Sequence, residues 1–396
     1  MMKFLIVIVV ILGVAAIAQA VRVYELAKKL SKRREEDINV SDNNVNANLW
    51  ILSLIAILVS FFYMVARYKD AMLPPSATEH GVDMDTLFAF NLYLVSAIFV
   101  IFNILLMVFA WRYRYRLGEK AFYYPHNDKL ELIWTAIPAI TMAIIIIYGL
   151  NVWWDVTGEE LEEDALTVQL YSKQFDWTAR YAGEDGQLGP SSFNFISGSN
   201  PLGIINTEVY DQVIADIDMQ VAMEKESIAN EILPDNVLEE KQDKIERLKR
   251  HKLRVLGFER ENSNYTFGND DIVMDKGVFY VPKGREVSFQ INSRDVIHSA
   301  YIPHFRMQMN AVPGMTTSFK IKPTITTAEM RRELEDEEFD YILLCNKICG
   351  AAHYNMQMTV KVVEENEFQE WLSQQKTFVQ PDAPEAEVVA EVTTGK

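Results

Sequence analysis

Hydrophobic residues follow two patterns along this chain. Up to residue 154 they gather in long unbroken runs; beyond it they alternate with polar residues over short stretches. Four runs stand out, at 4–20, 49–66, 89–111 and 132–153. Each approaches or exceeds the roughly 20 residues that a helix needs to cross a bilayer. None carries the polar stripe of a helix lying on a soluble core. Trp134, Trp153 and Trp154 flank the last run, as aromatic rings do at a membrane interface. Four spanning helices are expected.

Charge orients them. The loop 21–48 carries Arg22, Lys28, Lys29, Lys32, Arg33 and Arg34, and the loop 112–131 carries Arg112, Arg114, Arg116 and Lys120. Positive loops stay inside, so both are expected in the cytoplasm. The segment 67–88 and everything after 154 are then outside. Lys3, the apolar run and Ala18-Gln19-Ala20 also fit a cleavable signal. Cleavage would leave the basic 22–34 stretch outside, so a retained first helix is expected.

From 165 onward the period is two. Leu166–Ser172, Val278–Val281, Glu286–Asn292, Thr317–Lys322, Phe339–Leu344 and Met356–Val363 read as strands, with Pro282-Lys-Gly284 as a turn. Many short strands with turns indicate a sandwich or barrel. Residues 203–255 interrupt the series with Glu, Lys, Ala, Ile and Leu at helical spacing and Pro234 near the middle. They are expected to form an inserted helical hairpin. The tail 378–396 is expected to be disordered. The expected divisions are 1–70 and 71–155, each a membrane hairpin, 156–377 as the extramembrane domain, and the tail.

The net charge is −17, from 55 acidic and 38 basic residues. The cytoplasmic loops take a large share of the basic ones, so the outer part is more acidic still. Such a field repels nucleic acid and attracts a basic protein.

The chain has two cysteines, both in Cys345-Asn-Lys-Ile-Cys349-Gly-Ala-Ala-His353-Tyr-Asn-Met356. Two thiols, an imidazole and a thioether form a soft donor set, suited to copper or zinc rather than magnesium or calcium. His298, in Asp295-Val-Ile-His298-Ser-Ala-Tyr-Ile-Pro303, is a second imidazole candidate. A disulfide and a closed zinc site are the alternatives. Met356 favours copper, since thioether suits it better than zinc.

The 345–356 stretch resembles the CuA motif of cytochrome c oxidase subunit II, Cys-x-x-x-Cys-Gly-x-x-His-x-x-Met. The 295–303 stretch, followed by Asn310-Ala-Val-Pro313-Gly314, resembles that family's Asp-Val-x-His-Ser-x-x-x-Pro. Glu131-Leu-Ile-Trp134-Thr-Ala-Ile-Pro138-Ala resembles its second-helix motif, Glu-x-Ile-Trp-Thr-x-x-Pro-Ala. The family has two spanning helices, matched here by 89–111 and 132–153, so the pair before them is an addition.

The resemblance implies a membrane-anchored all-β protein. Its N-terminal transmembrane helices precede a cupredoxin-like Greek-key β-sandwich, here with a helical insertion. It implies a terminal-oxidase subunit in the cell inner membrane, with its copper domain on the periplasmic side. That subunit takes electrons from a cytochrome c type donor at a binuclear CuA centre. It passes them to the haem–copper catalytic subunit; haem and oxygen chemistry stay there. The implied copper ligands are His298, Cys345, the backbone carbonyl of Lys347, Cys349, His353 and Met356. Trp177 and Phe175 fall at the family's electron-uptake rings, Asp295 at donor docking and Glu131 at the mouth of a proton path. Phe175 replaces the usual first Trp. Lys347 and Asn310 replace acids near an interface magnesium, which leaves that ion open. His304 is expected to be structural or exposed.

Three other assignments fit less well. A copper-free quinol oxidase subunit would lack the cysteines. A nitrous oxide reductase would need a further His-rich domain, and the chain has six His. A fused haem domain would need Cys-x-x-Cys-His, which does not occur.

Overall fold

The structure, a computed structural model, describes residues 2–30, 39–275 and 277–379. It divides into two compact units. One is residues 1–72 with 91–135, and the other is residues 73–90 with 136–396.

The first unit is helical. It contains α1 (Met2–Leu30), α2 (Val40–Tyr68), the larger part of α3 (Glu79–Arg112) and the start of α4 (Asp128–Thr157). Asn39 caps α2 by accepting the Ser41 N–H at 2.9 Å. Asparagines of α2 then tie down the end of α3 and the segment after it. Asn43 donates to the Tyr115 carbonyl at 2.7 Å, Arg114 donates to Asn44 at 2.9 Å and Trp111 donates to Asn48 at 3.2 Å. Phe61 and Phe99 pack with ring centroids 5.0 Å apart.

Three helices among the described residues, not four, are long and apolar enough to span a membrane: Val40–Ala71, Glu79–Arg112 and Asp128–Thr157. The fourth expected span, 4–20, falls in α1. The side chains of 2–7, 9 and 10 lie outside the described residues there. The helix also runs on into polar sequence with Arg22, Glu25, Lys28 and Lys29. Part of the expected basic loop is therefore helix, and 31–38 lie outside the described residues. The spans leave large apolar side chains uncovered, such as Ile137, Ile140 and Ile147 of α4. Helices bare on every side suit hydrocarbon rather than water.

The second unit is a sandwich of two five-stranded sheets. Its elements are β1 (Leu166–Lys173), β2 (Asp176–Tyr181), α5 (Thr207–Asn230), α6 (Asp235–Val255), β3 (Ile272–Asp275), β4 (Val278–Pro282), β5 (Val287–Ser293), β6 (His298–Ile302), β7 (Met307–Ala311), β8 (Thr317–Ile321), α7 (Thr327–Leu334), β9 (Tyr341–Cys345), β10 (Gln357–Val363) and α8 (Glu365–Ser373). One sheet runs β3-β2-β1-β5-β8 and the other β4-β10-β9-β6-β7. Leu170, Phe279, Phe289, Phe319, Leu343 and Val360 fill the space between them.

The hairpin 203–255 is present as α5 and α6, inserted between the paired strands β2 and β3. It has its own small core of Phe195, Ile205, Tyr210, Ile217, Val255 and Tyr265. Glu224 of α5 pairs with Lys241 at 2.9 Å and Lys244 at 2.5 Å of α6. Where the insertion rejoins the sheet, buried Arg180 of β2 pairs with buried Asp271 and donates to the Gly189 carbonyl at 2.7 Å. Burial pulls the guanidinium down and the carboxyl up from their ordinary values, and each partner opposes the other's shift.

The end of the chain departs from expectation at its first residues. Phe378 and Val379 donate backbone N–H groups to the Asp271 and Asn269 carbonyls at 2.7 and 2.9 Å. The rest of the expected disordered tail, 380–396, lies outside the described residues.

Residues 73–90 pack as part of the sandwich. Ala77 is fully buried in its core, and its N–H donates to the His304 carbonyl at 2.7 Å. Arg306 grips Asp85 at 2.7 and 2.8 Å and the Pro74 carbonyl at 2.6 Å.

Candidate metal centre

The sandwich brings the sulfur, imidazole and carbonyl groups of two distant segments to one place. His298 opens β6, next to β9, and Cys345 closes β9. The chain then loops through Lys347, Cys349 and His353 to Met356, just before β10. The Cys345 N–H closes this loop on the Met356 carbonyl at 3.1 Å.

The Cys345 and Cys349 sulfurs are 3.9 Å apart. Cys345 Sγ lies 3.8 Å from His298 Nδ1 and 3.2 Å from the Lys347 carbonyl. Cys349 Sγ lies 3.6 Å from His353 Nδ1 and 3.8 Å from Met356 Sδ. Each sulfur thus sits against one imidazole and one weaker donor. His298 and Met356 are buried, His353 is half-buried, and the Lys347 side chain is exposed. The cysteines form no disulfide. Burial, and next the neighbouring Cys345 sulfur, push the Cys349 thiol up to about 11. A metal binding there must displace that proton.

The orientation of His298 is fixed from behind. Its Nε2 lies 2.8 Å from Asp295 Oδ1, which leaves Nδ1 facing Cys345. A metal-binding imidazole is commonly held this way by a carboxylate on its other nitrogen. Burial opposes ionisation of Asp295. Its hydrogen bonds to His298, the Gln174 N–H and the Val296 N–H overcome that and keep the carboxyl below its ordinary range. Both carboxylate oxygens are therefore engaged within the site.

The other expected residues fall as follows. Trp177 is fully buried behind His298, with ring centroids 6.3 Å apart, and its Nε1 has no hydrogen-bond partner among the described residues. Phe175 is half-buried and touches the cysteine loop at Gly350. Glu131 accepts the Asn127 N–H at 3.4 Å at the start of α4, a helix-end contact. His304 stacks edge-on against Phe339 and Tyr341, at 5.0 and 5.5 Å. Burial, then Arg306, hold it below the usual histidine range. Asn310 is exposed on β7.

Sequence reasoning missed Gln174. Its N–H donates to Asp295 at 2.8 Å and its side-chain amide to the Cys349 carbonyl. It lies in the turn between β1 and β2, next to Phe175, and no spacing in the sequence ties it to Asp295 or Cys349.

Two family models match the chain. Residues 66–152 match the cytochrome c oxidase subunit II transmembrane domain, and residues 261–363 match its periplasmic domain. The chain belongs to the cytochrome c oxidase subunit II family. It is 28% identical to the alternative cytochrome c oxidase subunit 2 of Bradyrhizobium diazoefficiens, over 87% of this chain and 98% of that one. It is 24% identical to the cytochrome c oxidase subunit 2 of Thermostichus vulcanus, over 84% of this chain and 87% of that one. The Cereibacter sphaeroides subunit is also 24% identical, over 76% and 78% of the two chains. The sandwich is the family's cupredoxin-like fold, and the chain is a subunit of an oxidoreductase complex. Both the α5–α6 hairpin and most of α2 lie outside the matched regions.

Proposed function

We propose that this subunit accepts electrons from a cytochrome c type donor at a binuclear copper centre and delivers them to the haem–copper catalytic subunit. The observation that carries the reading is the paired donor set. Two thiols 3.9 Å apart each face one imidazole nitrogen, with a thioether and a carbonyl as the remaining donors. This set fits two copper ions held by Cys345, Cys349, His298 and His353, with Met356 and the Lys347 carbonyl as weak ligands. The bound pair would supply a one-electron carrier. The chain's part is to hold its donors still: strands β6 and β9 and the closed 345–356 loop fix their positions, and burial excludes water.

The same reading extends to orientation. Three spans put residues 73–78 and the sandwich on one side of the membrane, and Arg112, Arg114, Arg116 and Lys120 on the other. By the positive-inside rule the sandwich is outside, in the periplasm of a cell with two membranes. Glu131 as a proton path, Phe175 and Trp177 as electron-uptake rings and Asp295 in donor docking belong to this proposal. The copper-free quinol oxidase alternative leaves the cysteine pair without a purpose.

The test is metal analysis of the full chain, purified in detergent with reduced thiols and loaded with copper. Two coppers per chain, with a mixed-valence electron paramagnetic resonance signal, are expected. Cys349→Ser should abolish that signal. One copper per chain, or preferential zinc uptake, would overturn the reading.

A further inference from the structure

The turn between β1 and β2 lies against the copper-ligand loop without contributing a ligand. Gln174, at its tip, reaches both ligand-bearing segments. Its backbone N–H donates to Asp295 Oδ2 at 2.8 Å, and the other oxygen of that carboxylate contacts His298 Nε2. Its side-chain amide donates to the carbonyl of Cys349 itself. The approach depends on Gly350. That residue has φ of 143°, and a Cβ there would lie 2.8 Å from Phe175 ring atoms and 2.9 Å from the Gln174 amide nitrogen. Only glycine permits both the backbone conformation and the contact.

We infer that Gln174 is a positioning residue of the metal centre, a latch between Asp295, the carboxylate that holds His298, and the loop that supplies Cys349. The inference rests on the copper reading above and adds to it. Cys345 is anchored as the last residue of a paired strand, whereas Cys349 sits in irregular chain. Fixing the Cys349 carbonyl limits rotation about its Cα and so sets where Sγ stands relative to Cys345. Without the latch, the ligands remain but the second sulfur gains freedom. Outer partners of this kind alter metal affinity by about 10- to 100-fold.

The experiment uses the full chain, copper-loaded in detergent, in four forms: wild type, Gln174→Ala, Gln174→Glu and Gly350→Ala. Gln174→Glu keeps the shape of the side chain, but its carboxylate cannot donate to a carbonyl. Three readouts are taken: copper stoichiometry, the visible and paramagnetic spectra, and the rate of copper loss to a chelator. All four forms are expected to start with two coppers. Gln174→Ala and Gln174→Glu should lose copper about tenfold faster or more, with shifted copper–thiolate bands. Gly350→Ala should show the same spectral shift with Gln174 intact, because it forces the turn away. Wild-type loss rates and spectra in both Gln174 variants would overturn the latch. A wild type that takes up no copper pair would instead overturn the copper reading.

Discussion

At the scale of single residues, the site relies on groups that differ in how replaceable they are. Met356 is buried against Cys349 Sγ, and leucine fills nearly the same volume. Met356→Leu is therefore expected to keep the fold and both coppers and to raise the reduction potential, as axial ligands tune a copper site. Redox titration checks this, and loss of copper would refute it. Arg180 and Asp271 are the opposite case. Removing one partner leaves a buried charge alone, which costs about 3–5 kcal/mol. Asp271→Ala should lower the melting temperature clearly while leaving the copper spectrum of the surviving folded chain unchanged. The sequence displayed the ligands because they cluster at fixed spacing around both cysteines. It did not display Gln174, whose role depends on a turn folding back over residues more than a hundred positions away, nor the burial of Trp177 behind His298.

At the scale of elements, alternation decided what could be read. Strands with one wetter face, such as β9 and β10, alternate and were legible. β2 is buried at five successive positions and β6 at four of five, so period two is lost. β7 was missed as well. Capping shows its consequence in α7. Thr326 and Glu329 form a reciprocal capping box, and Lys283 reaches the same carboxylate at 2.8 Å. The Lys283 bond, then the Thr326 backbone N–H, hold Glu329 down to about 2. A carboxyl lowered in the folded state stabilises above its unfolded value and loses that contribution as pH falls toward the folded one. Stability should thus decline between about pH 4.5 and 2 with a component that Glu329→Gln removes. Partial exposure keeps that component below about 1 kcal/mol. The hairpin makes a separate prediction. Residues 231–234 join α5 to α6, with Ile232 fully exposed. A protease site placed there should be cut readily, and the nicked chain should stay together and keep its copper. Copper release on nicking would mean that the hairpin supports the site.

At the scale of the whole molecule, membrane helices and sandwich were both visible as a change in hydrophobic period near residue 154. The number of spans was less secure, because an apolar run such as 4–20 passes without a break into a charged helix end. Topology can be tested directly, since both native cysteines are buried. Gly118→Cys should resist a membrane-impermeant thiol reagent in intact cells and react after the membrane is opened. Reaction in intact cells would reverse the assigned orientation.

The packing of residues 73–90 bears on where this protein can be cut. A water-soluble fragment would be started after α4, near residue 158, where the helix ends and the strands begin. Such a cut discards Ala77 from the middle of the core and takes from the Arg306 guanidinium its acceptors at Asp85 and Pro74, leaving it the Pro303 carbonyl. It also removes the backbone partners of the His304 and Lys322 carbonyls. The truncated sandwich should melt well below the full chain, and grafting residues 73–78 onto its start should recover part of the loss. The membrane anchor is thus also a plug: its last residues before α3 complete the core of the sandwich, which is unfinished without them.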